Sequence, residues 1–467
     1  MKLNTKITTA AVAGLLAVVG LSGSAHAAAT EVCTGPQPTA CVQLNMGGSS
    51  AGTGFATQVP LNLLDQDNPG TPADETPIHY VNGVIGSITS GKLHVWTGTR
   101  AGVPTIVRYV ATGSSDGVKR LQQPVANSLS NMNFLNHTGT TGCSAPALLT
   151  RPADGKQYYE MTGCTFGISA LPVTLGASDV HGNSFHQTGP AIPLTKVSPL
   201  DQSMLTSVQA AIVPFKFVLG TAVKMVNPVT GDVPGVNDLL NVDSLSHDEI
   251  QSLLSRQPGA LDWKSFGLVG DVNGDGDADA TAPVTLCLRS AGSGTKASLD
   301  ETVMLTTSET PNGSTNLTNP ASGVYFGTST QDVRDCVGGN VAAGRPAHPL
   351  AIGYLDADAS VPNGYDVRMD GRHANDLTLA DPKSNIKCGK YKYWVGWRLN
   401  YRTTDDPDIS PAQDALILDF VNSASLPSTT DLLPAGAYWV SPNDMYVSKN
   451  ADAGPVLWNN AANPCGE

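Results

Sequence analysis

Three times in this 467-residue chain an apolar, β-prone run ends directly in a turn of small residues. Val42-Gln-Leu-Asn-Met46 enters Gly47-Gly-Ser-Ser50-Ala-Gly, Thr105-Ile-Val-Arg-Tyr-Val-Ala-Thr112 enters Gly113-Ser-Ser-Asp-Gly117, and Val284-Thr-Leu-Cys-Leu-Arg289 enters Ser290-Ala-Gly-Ser-Gly-Thr295. Helical runs follow two of them, Val118 to Gln123 (stopped by Pro124) and the stretch from Thr295. Glycines let a ligand approach backbone N–H groups closely, and an adjacent guanidinium adds a charge and a planar donor fork. The third stretch therefore has the local pattern of an anion site. The competing reading is a strand-turn-helix with an exposed arginine.

The remaining elements fit the same architecture. Ala210 to Val226 is a largely apolar run interrupted by Pro214 and Gly220 and predicts one or two buried strands. Ser246-His-Asp-Glu249 is a capping box for a helix through Ser255, and Ser410-Pro411 opens another reaching about Val421. Leu350 to Leu355 and Tyr391 to Tyr401 read as strands. Strands alternating with helices predict an α/β fold with mixed, mainly parallel sheets flanked by helices, with ligands beyond the strands' carboxyl ends. The polar segment Val125 to Gly167 reads as an insertion pinned by Cys143 and Cys164, and Leu175-Gly-Ala-Ser-Asp179 is a further small-residue turn carrying one carboxylate.

Lys2 and Lys6, the apolar run Ile7 to Leu21 and Ser-Ala-His-Ala-Ala have the regions of a secretory signal, predicting cleavage near Ala27 or Ala28. No cysteine stands at that point and no other stretch is long and apolar enough to span a bilayer, so the expectation is a soluble periplasmic or secreted protein without a lipid anchor. The net charge of −13 becomes more negative once the two signal lysines are lost, which disfavours nucleic acid and anionic membranes as partners. Eight cysteines in an exported chain predict four disulfides. Proximity pairs Cys33 with Cys41 and Cys143 with Cys164, while Cys287, Cys336, Cys388 and Cys465 pair among themselves in an order that sequence leaves open.

Gly113-Ser-Ser-Asp-Gly-Val-Lys-Arg120, Gly176-Ala-Ser-Asp179, Arg289-Ser-Ala-Gly-Ser-Gly-Thr295 and Ala351-Ile-Gly-Tyr354 stand in the order found in the phosphate-binding proteins of high-affinity phosphate ABC transporters, and from about Val42 to about Val421 the chain resembles that family. The resemblance implies a two-lobed clamp with two crossings, near Val213-Pro-Phe and Tyr393-Trp-Val-Gly-Trp. On it, residues 1–28 are the signal, 29–213 the first part of lobe one, 214–394 lobe two, and 395–467 the return to lobe one with a C-terminal tail. The ligand implied is inorganic phosphate, as hydrogen phosphate, with an inner-membrane ABC permease as partner, no enzyme activity, no required cofactor and a monomeric state.

Carried over residue by residue, the resemblance makes Ser50 and the Ala51 N–H first-turn donors, Ser114 the second-turn donor and Asp179 the acceptor of the ligand's proton. Arg289, Ser293, Gly294 and Thr295 would complete the shell. A carboxylate beside a dianion is tolerated only if the ligand still carries a proton, which selects phosphate or arsenate over sulfate. The chain departs from the family at Gly47-Gly-Ser-Ser50, at Ala291, where an aspartate commonly holds the arginine, and at Asp116, where a glycine is usual. Asp116 is therefore proposed as the missing partner of Arg289.

Three other readings compete. Asp271, Asn273, Asp275, Asp277 and Asp279 match the first half of an EF-hand-type loop, making calcium the candidate structural ion, although position twelve is Ala282. Gly48-Ser-Ser50-Ala-Gly52 and Gly113-Ser-Ser115-Asp-Gly117 fit the nucleophile turn of serine hydrolases, a chance match in a chain this rich in Gly and Ser unless a histidine stands beside Ser50 or Ser115. A secreted structural protein that keeps the phosphate-binding fold with an altered site is the principal alternative.

Overall fold

The 16-residue strand Leu205–Gly220 is the axis of the molecule. Its second half is wholly buried, and a run of Ala, Ile, Val, Phe and Leu reads in that setting as a strand covered on both faces. Pro214 has no N–H to give a ladder, and it stands where the strand changes partners. Up to Pro214↔Trp394 the strand pairs with Trp394–Arg402; from Phe215↔Asp356 it pairs with Ala351–Asp356. The structure, a computed structural model, describes residues 41–66, 76–82, 93–122, 131–137, 142–164, 168–185, 200–231, 238–305, 309, 313–314, 323–402, 409–432, 438–459 and 465. The segment read as a secretory signal and Cys33 lie outside them.

The strands that matter, in chain order, are β1 (Val42–Gly48), β2 (Ile78–Val81), β3 (Leu93–Arg100), β4 (Val103–Ala111), β5 (Ala147–Thr150), β6 (Gln157–Met161), β7 (Leu175–Ser178), β8 (Leu205–Gly220), β9 (Thr285–Arg289), β10 (Val324–Gly327), β11 (Ala351–Asp356), β12 (Gly364–Met369) and β13 (Trp394–Arg402). They belong to one 14-stranded sheet in the order β10-β9-β11-β8-β13-β7-β1-β4-β3-β2-β6-β5, with β12 beside the far end of β8. Helices α1 (Ser114–Leu121), α2 (His247–Ser255), α3 (Gly294–Leu299), α4 (Thr330–Gly338) and α5 (Pro411–Ala424) accompany it.

The sheet is mixed, and less parallel than the sequence predicts. β1 runs parallel to β4 and β7, and β9 to β10 and β11. β8 is antiparallel to β11, β12 and β13. The β3–β4 hairpin turns through Ala101 (φ 50°) and Gly102 (φ 75°), whose N–H groups donate to the Asp65 carboxylate at 3.0 and 2.9 Å. Two successive positive φ angles are what a two-residue hairpin needs to match strand twist. The segment read as an insertion contributes β5 and β6, so it extends the sheet.

Parallel pairing sets the level at which each strand stops. Gly48 lies opposite Ala111 on β4 and Ala177 on β7, so three turns leave side by side. Arg289 lies opposite Gly327 on β10, and Cys287 opposite Gly353 on β11, so Arg289, Thr328 and Asp356 likewise emerge together. Gly48 has φ 134°, and a Cβ there would sit 2.0 Å from the Ala177 carbonyl oxygen, so only glycine lets β1 and β7 end this close.

Disulfides tie the outer pieces down. Cys143–Cys164 pins the β5–β6 segment, Cys287–Cys336 joins β9 to α4, and Cys388–Cys465 holds the C-terminal end. Cys41 is also disulfide-bonded. Among the described residues no helix is long and apolar enough to cross a membrane.

Candidate functional site

The turns after β1, β4 and β7 converge on Asp179, whose residue is 2% exposed. Ser49 Oγ donates to Asp179 Oδ1, and the Asp179 N–H donates to Ser114 Oγ at 3.2 Å. The Ser49 N–H donates to the Ala177 carbonyl at 3.0 Å, and the Tyr109 hydroxyl to the Ser49 carbonyl, so the first turn is held from both sides. Burial pushes the Asp179 carboxyl up to about 7; the Ser49 bond opposes this, and the negative charge of Asp356 adds to it.

The turn after β9 meets this cluster from the other half of the sheet. A Cβ built on Gly294 would lie 2.2 Å from Ser114 Oγ and 2.4 Å from Asp179 Oδ2, so the first residue of α3 must be glycine for the halves to touch. The Ser115 N–H donates to the Gly292 carbonyl at 3.3 Å across the same junction. Ser293 caps α3, its Oγ accepting the Lys296 N–H at 3.3 Å and keeping its own proton to donate.

Arg289 is 2% exposed and its hydrogen-bond partners are all neutral. Its Nη1 donates to Thr295 Oγ1 at 3.3 Å and to Thr330 Oγ1 at 3.1 Å, and its Nη2 to the Thr328 carbonyl at 3.5 Å. Its Nε is buried without a hydrogen-bond partner. Its backbone N–H donates to the Tyr354 hydroxyl at 3.0 Å, which anchors the Arg-Ser-Ala-Gly-Ser-Gly-Thr turn to the Ala-Ile-Gly-Tyr strand. Asp356 and Thr330, which the sequence reading did not single out, complete this side: Thr330 Oγ1 donates to Asp356 Oδ2 at 2.9 Å.

Asp116 is not where the sequence reading expects it, and the first turn presents Ser49 beside the expected Ser50. Ser49 bonds Asp179; Ser50 is half-buried and its carbonyl accepts from the Thr53 hydroxyl at 2.9 Å, while Ala51 is buried in the same turn. The reason is register, since Gly48↔Ala111 ends the β1–β4 pairing one residue before Ser49. Asp116 forms no hydrogen bond or ion pair with Arg289 among the described residues. It lies in the first turn of α1, whose buried residues are Ser114, Ser115, Gly117, Val118 and Leu121, and the carboxylate nearest in role to Arg289 is Asp356, reached through Thr330.

The acidic loop is built from local caps. Asp271 Oδ1 accepts the Gly276 N–H at 3.4 Å, Asn273 Oδ1 that of Asp275 at 3.2 Å, Asp275 Oδ1 that of Asp277 at 3.0 Å, and Asp279 Oδ2 that of Val272 at 2.7 Å. Among the described residues no group of three or more His, Cys, Asp or Glu side chains is placed to hold a metal ion. Among the described residues no histidine is hydrogen-bonded to Ser50 or Ser115; His186 lies outside them.

No protein-family model matches the chain, and no curated protein does. Among solved structures it is similar to a Clostridium perfringens protein assigned as a phosphate ABC transporter substrate-binding protein and solved with bound phosphate: 13% identity, 85% of this chain and 99% of that one covered, TM-score 0.42. It is also similar to an ABC-type phosphate transport receptor from Vibrio cholerae (15% identity, 52% and 75% covered, TM-score 0.31). A third is a possible phosphate binding protein from Planctomyces limnophilus DSM 3776 (10% identity, 87% and 95% covered, TM-score 0.34). Such low TM-scores say nothing of this chain's ligand, which is read from the side chains of the site.

Proposed function

We propose that this chain is an exported solute-binding protein that captures inorganic phosphate, as hydrogen phosphate, between the two halves of its sheet. The observation that carries this is Arg289: a buried guanidinium whose hydrogen-bond partners are all neutral and whose Nε is unpaired, with the Asp356 and Asp179 carboxyls near enough to feel its charge. An unpaired buried charge is costly, and an oxyanion offsets it best because its oxygens accept charge-assisted bonds. Ser114 and Ser293 add hydroxyl donors, with Gly294 and Thr295 lining the same junction, while the Ser49 hydroxyl is committed to Asp179. Asp179 then discriminates: it accepts from a protonated oxygen and repels the bare oxygens of sulfate.

The proposed lobes are residues 29–213 with 395–467, and residues 214–394, and binding is their closure around the anion, with no covalent chemistry. A membrane permease with an ATPase is the proposed receiver of the ligand, and the protein acts as a monomer. Calorimetric titration of ligand-stripped protein tests the proposal. Tight one-to-one binding of phosphate with no response to sulfate supports it. No heat and no thermal stabilisation by either anion would overturn it and leave a structural protein with an inherited scaffold.

A further inference from the structure

Asp356, the last residue of β11, is 6% exposed and close enough to Asp179 for its negative charge to act on that carboxyl. Its Oδ2 accepts from Thr330, while its Oδ1 is buried without a hydrogen-bond partner. Arg289 Nε is a buried donor in the same condition. Thr330 bonds both residues, so they are held close without forming an ion pair. One open acceptor and one open donor in a dry site fit a ligand that carries a hydroxyl beside a bare oxyanion oxygen.

We propose that Asp356 is a second proton acceptor of this site, so that the cleft takes phosphate as the doubly protonated monoanion, with one P–OH directed to Asp179 and the other to Asp356. The inference rests on the reading of the cleft as a phosphate site and replaces the singly protonated dianion of that reading by the doubly protonated monoanion. The charged and titratable groups around Asp356 are Arg289 on β9, Lys216 on β8, Asp179 after β7, Asp358 just beyond β11, Tyr109 on β4 and Tyr393 before β13. Lys216 is already paired with Asp366 at 2.8 Å. With Asp179 and Asp356 both ionised, Arg289 leaves the site one negative charge in excess, and every further charge on the ligand is repelled. A second ligand proton removes one such charge and turns a repelled lone pair into a donor. Burial and the neighbouring carboxylates raise the proton affinity of this side of the cleft as well, with Asp358 pushed up to about 6.

The test is the number of protons taken up when inorganic phosphate binds, from titrations at about pH 8 in buffers of different ionisation enthalpy, with the affinity followed down to about pH 5. Wild-type protein is expected to take up close to one proton per phosphate at about pH 8, where free phosphate is mainly the dianion, and to lose affinity about tenfold per pH unit above the second pKa of phosphate. Asp356→Asn is expected to take up none at about pH 8, to hold its affinity above the second pKa of phosphate and to lose it below, the reverse of the wild-type profile. A variant that binds more weakly at every pH with the wild-type slope would make Asp356 merely structural and overturn the inference. Tight binding by wild-type protein with no proton uptake overturns it without any variant. Absence of phosphate binding at every pH would overturn the underlying assignment, and this inference with it.

Discussion

Two buried cations stand seven residues apart, one at the end of β9 and one in α3, and they are treated in opposite ways. Lys296 closes on carboxylates, Glu309 and, at 3.3 Å, Asp300, and these raise its ammonium's proton affinity against the opposing effect of burial. Arg289 has two threonine hydroxyls and a carbonyl, with no carboxylate in ion-pair contact among the described residues. A paired buried ion holds the fold in place; one left with neutral partners has charge available to an anion, as the proposed function requires. The comparison separates scaffold from site within a single strand-turn-helix.

Exchanging the two roles experimentally gives the largest effect. Lys296→Ala leaves Glu309 buried without its partner and is expected to cost about 3–5 kcal/mol of stability in a denaturant titration. Arg289→Ala is expected to shift stability by less than about 1 kcal/mol while weakening phosphate binding at least about 100-fold, because charge-assisted bonds to the ligand are lost. Equal destabilisation by both variants would erase the distinction.

A smaller effect comes from the carboxylate facing Arg289. Folding raises the Asp179 pKa from 3.8 to about 7, so the folded protein holds this proton through a pH range where the unfolded chain has released it. Stability is accordingly unaffected by this group below about pH 4, falls as pH rises through the window, and levels off above about 7. Asp179→Asn removes the slope: it is expected to stabilise ligand-free protein by roughly 2–4 kcal/mol at pH 8 and hardly at all at pH 4, as read from melting curves, and to admit sulfate. A pH-independent gain would mean that Asp179 is not held protonated by the fold.

The smallest expected effect sharpens the register of the first turn. Ser49→Ala removes the donor to Asp179 and is expected to weaken phosphate binding about 5- to 30-fold, whereas Ser50→Ala stays within about twofold. The reverse ranking would place β1 one residue out of its pairing.

Much of this site was legible before the fold. Gly113-Ser114, Ser178-Asp179 and Arg289 to Thr295 each stand at or just beyond the end of a strand whose composition and length identify it, so the candidate residues lie within a few positions of the strand end. The capping boxes at Ser246 and Ser410 placed α2 and α5 for the same local reason. Ser49 was not separable from Ser50, because both sit in one flexible turn and only pairing with β4 and β7 decides which faces inward. Asp116 looked plausible as a partner of Arg289 because it lies beside Ser114 in sequence, but a helical turn rotates it away from the junction.

The sequence by itself determined the alternation of strands and helices, the small-residue turns at strand ends, the Cys143–Cys164 pair and the place of Arg289 at a strand end, since each depends on residues near one another in the chain. Tertiary structure alone decided that Thr330 and Asp356 stand beside Arg289, how Cys287, Cys336, Cys388 and Cys465 pair, and that Gly294 rests against Asp179. Those contacts depend on strand register and on the partner exchange of β8 at Pro214, which bring distant segments to one level of the sheet. Local propensity does not encode where two distant strands come level; the packing of the whole sheet does.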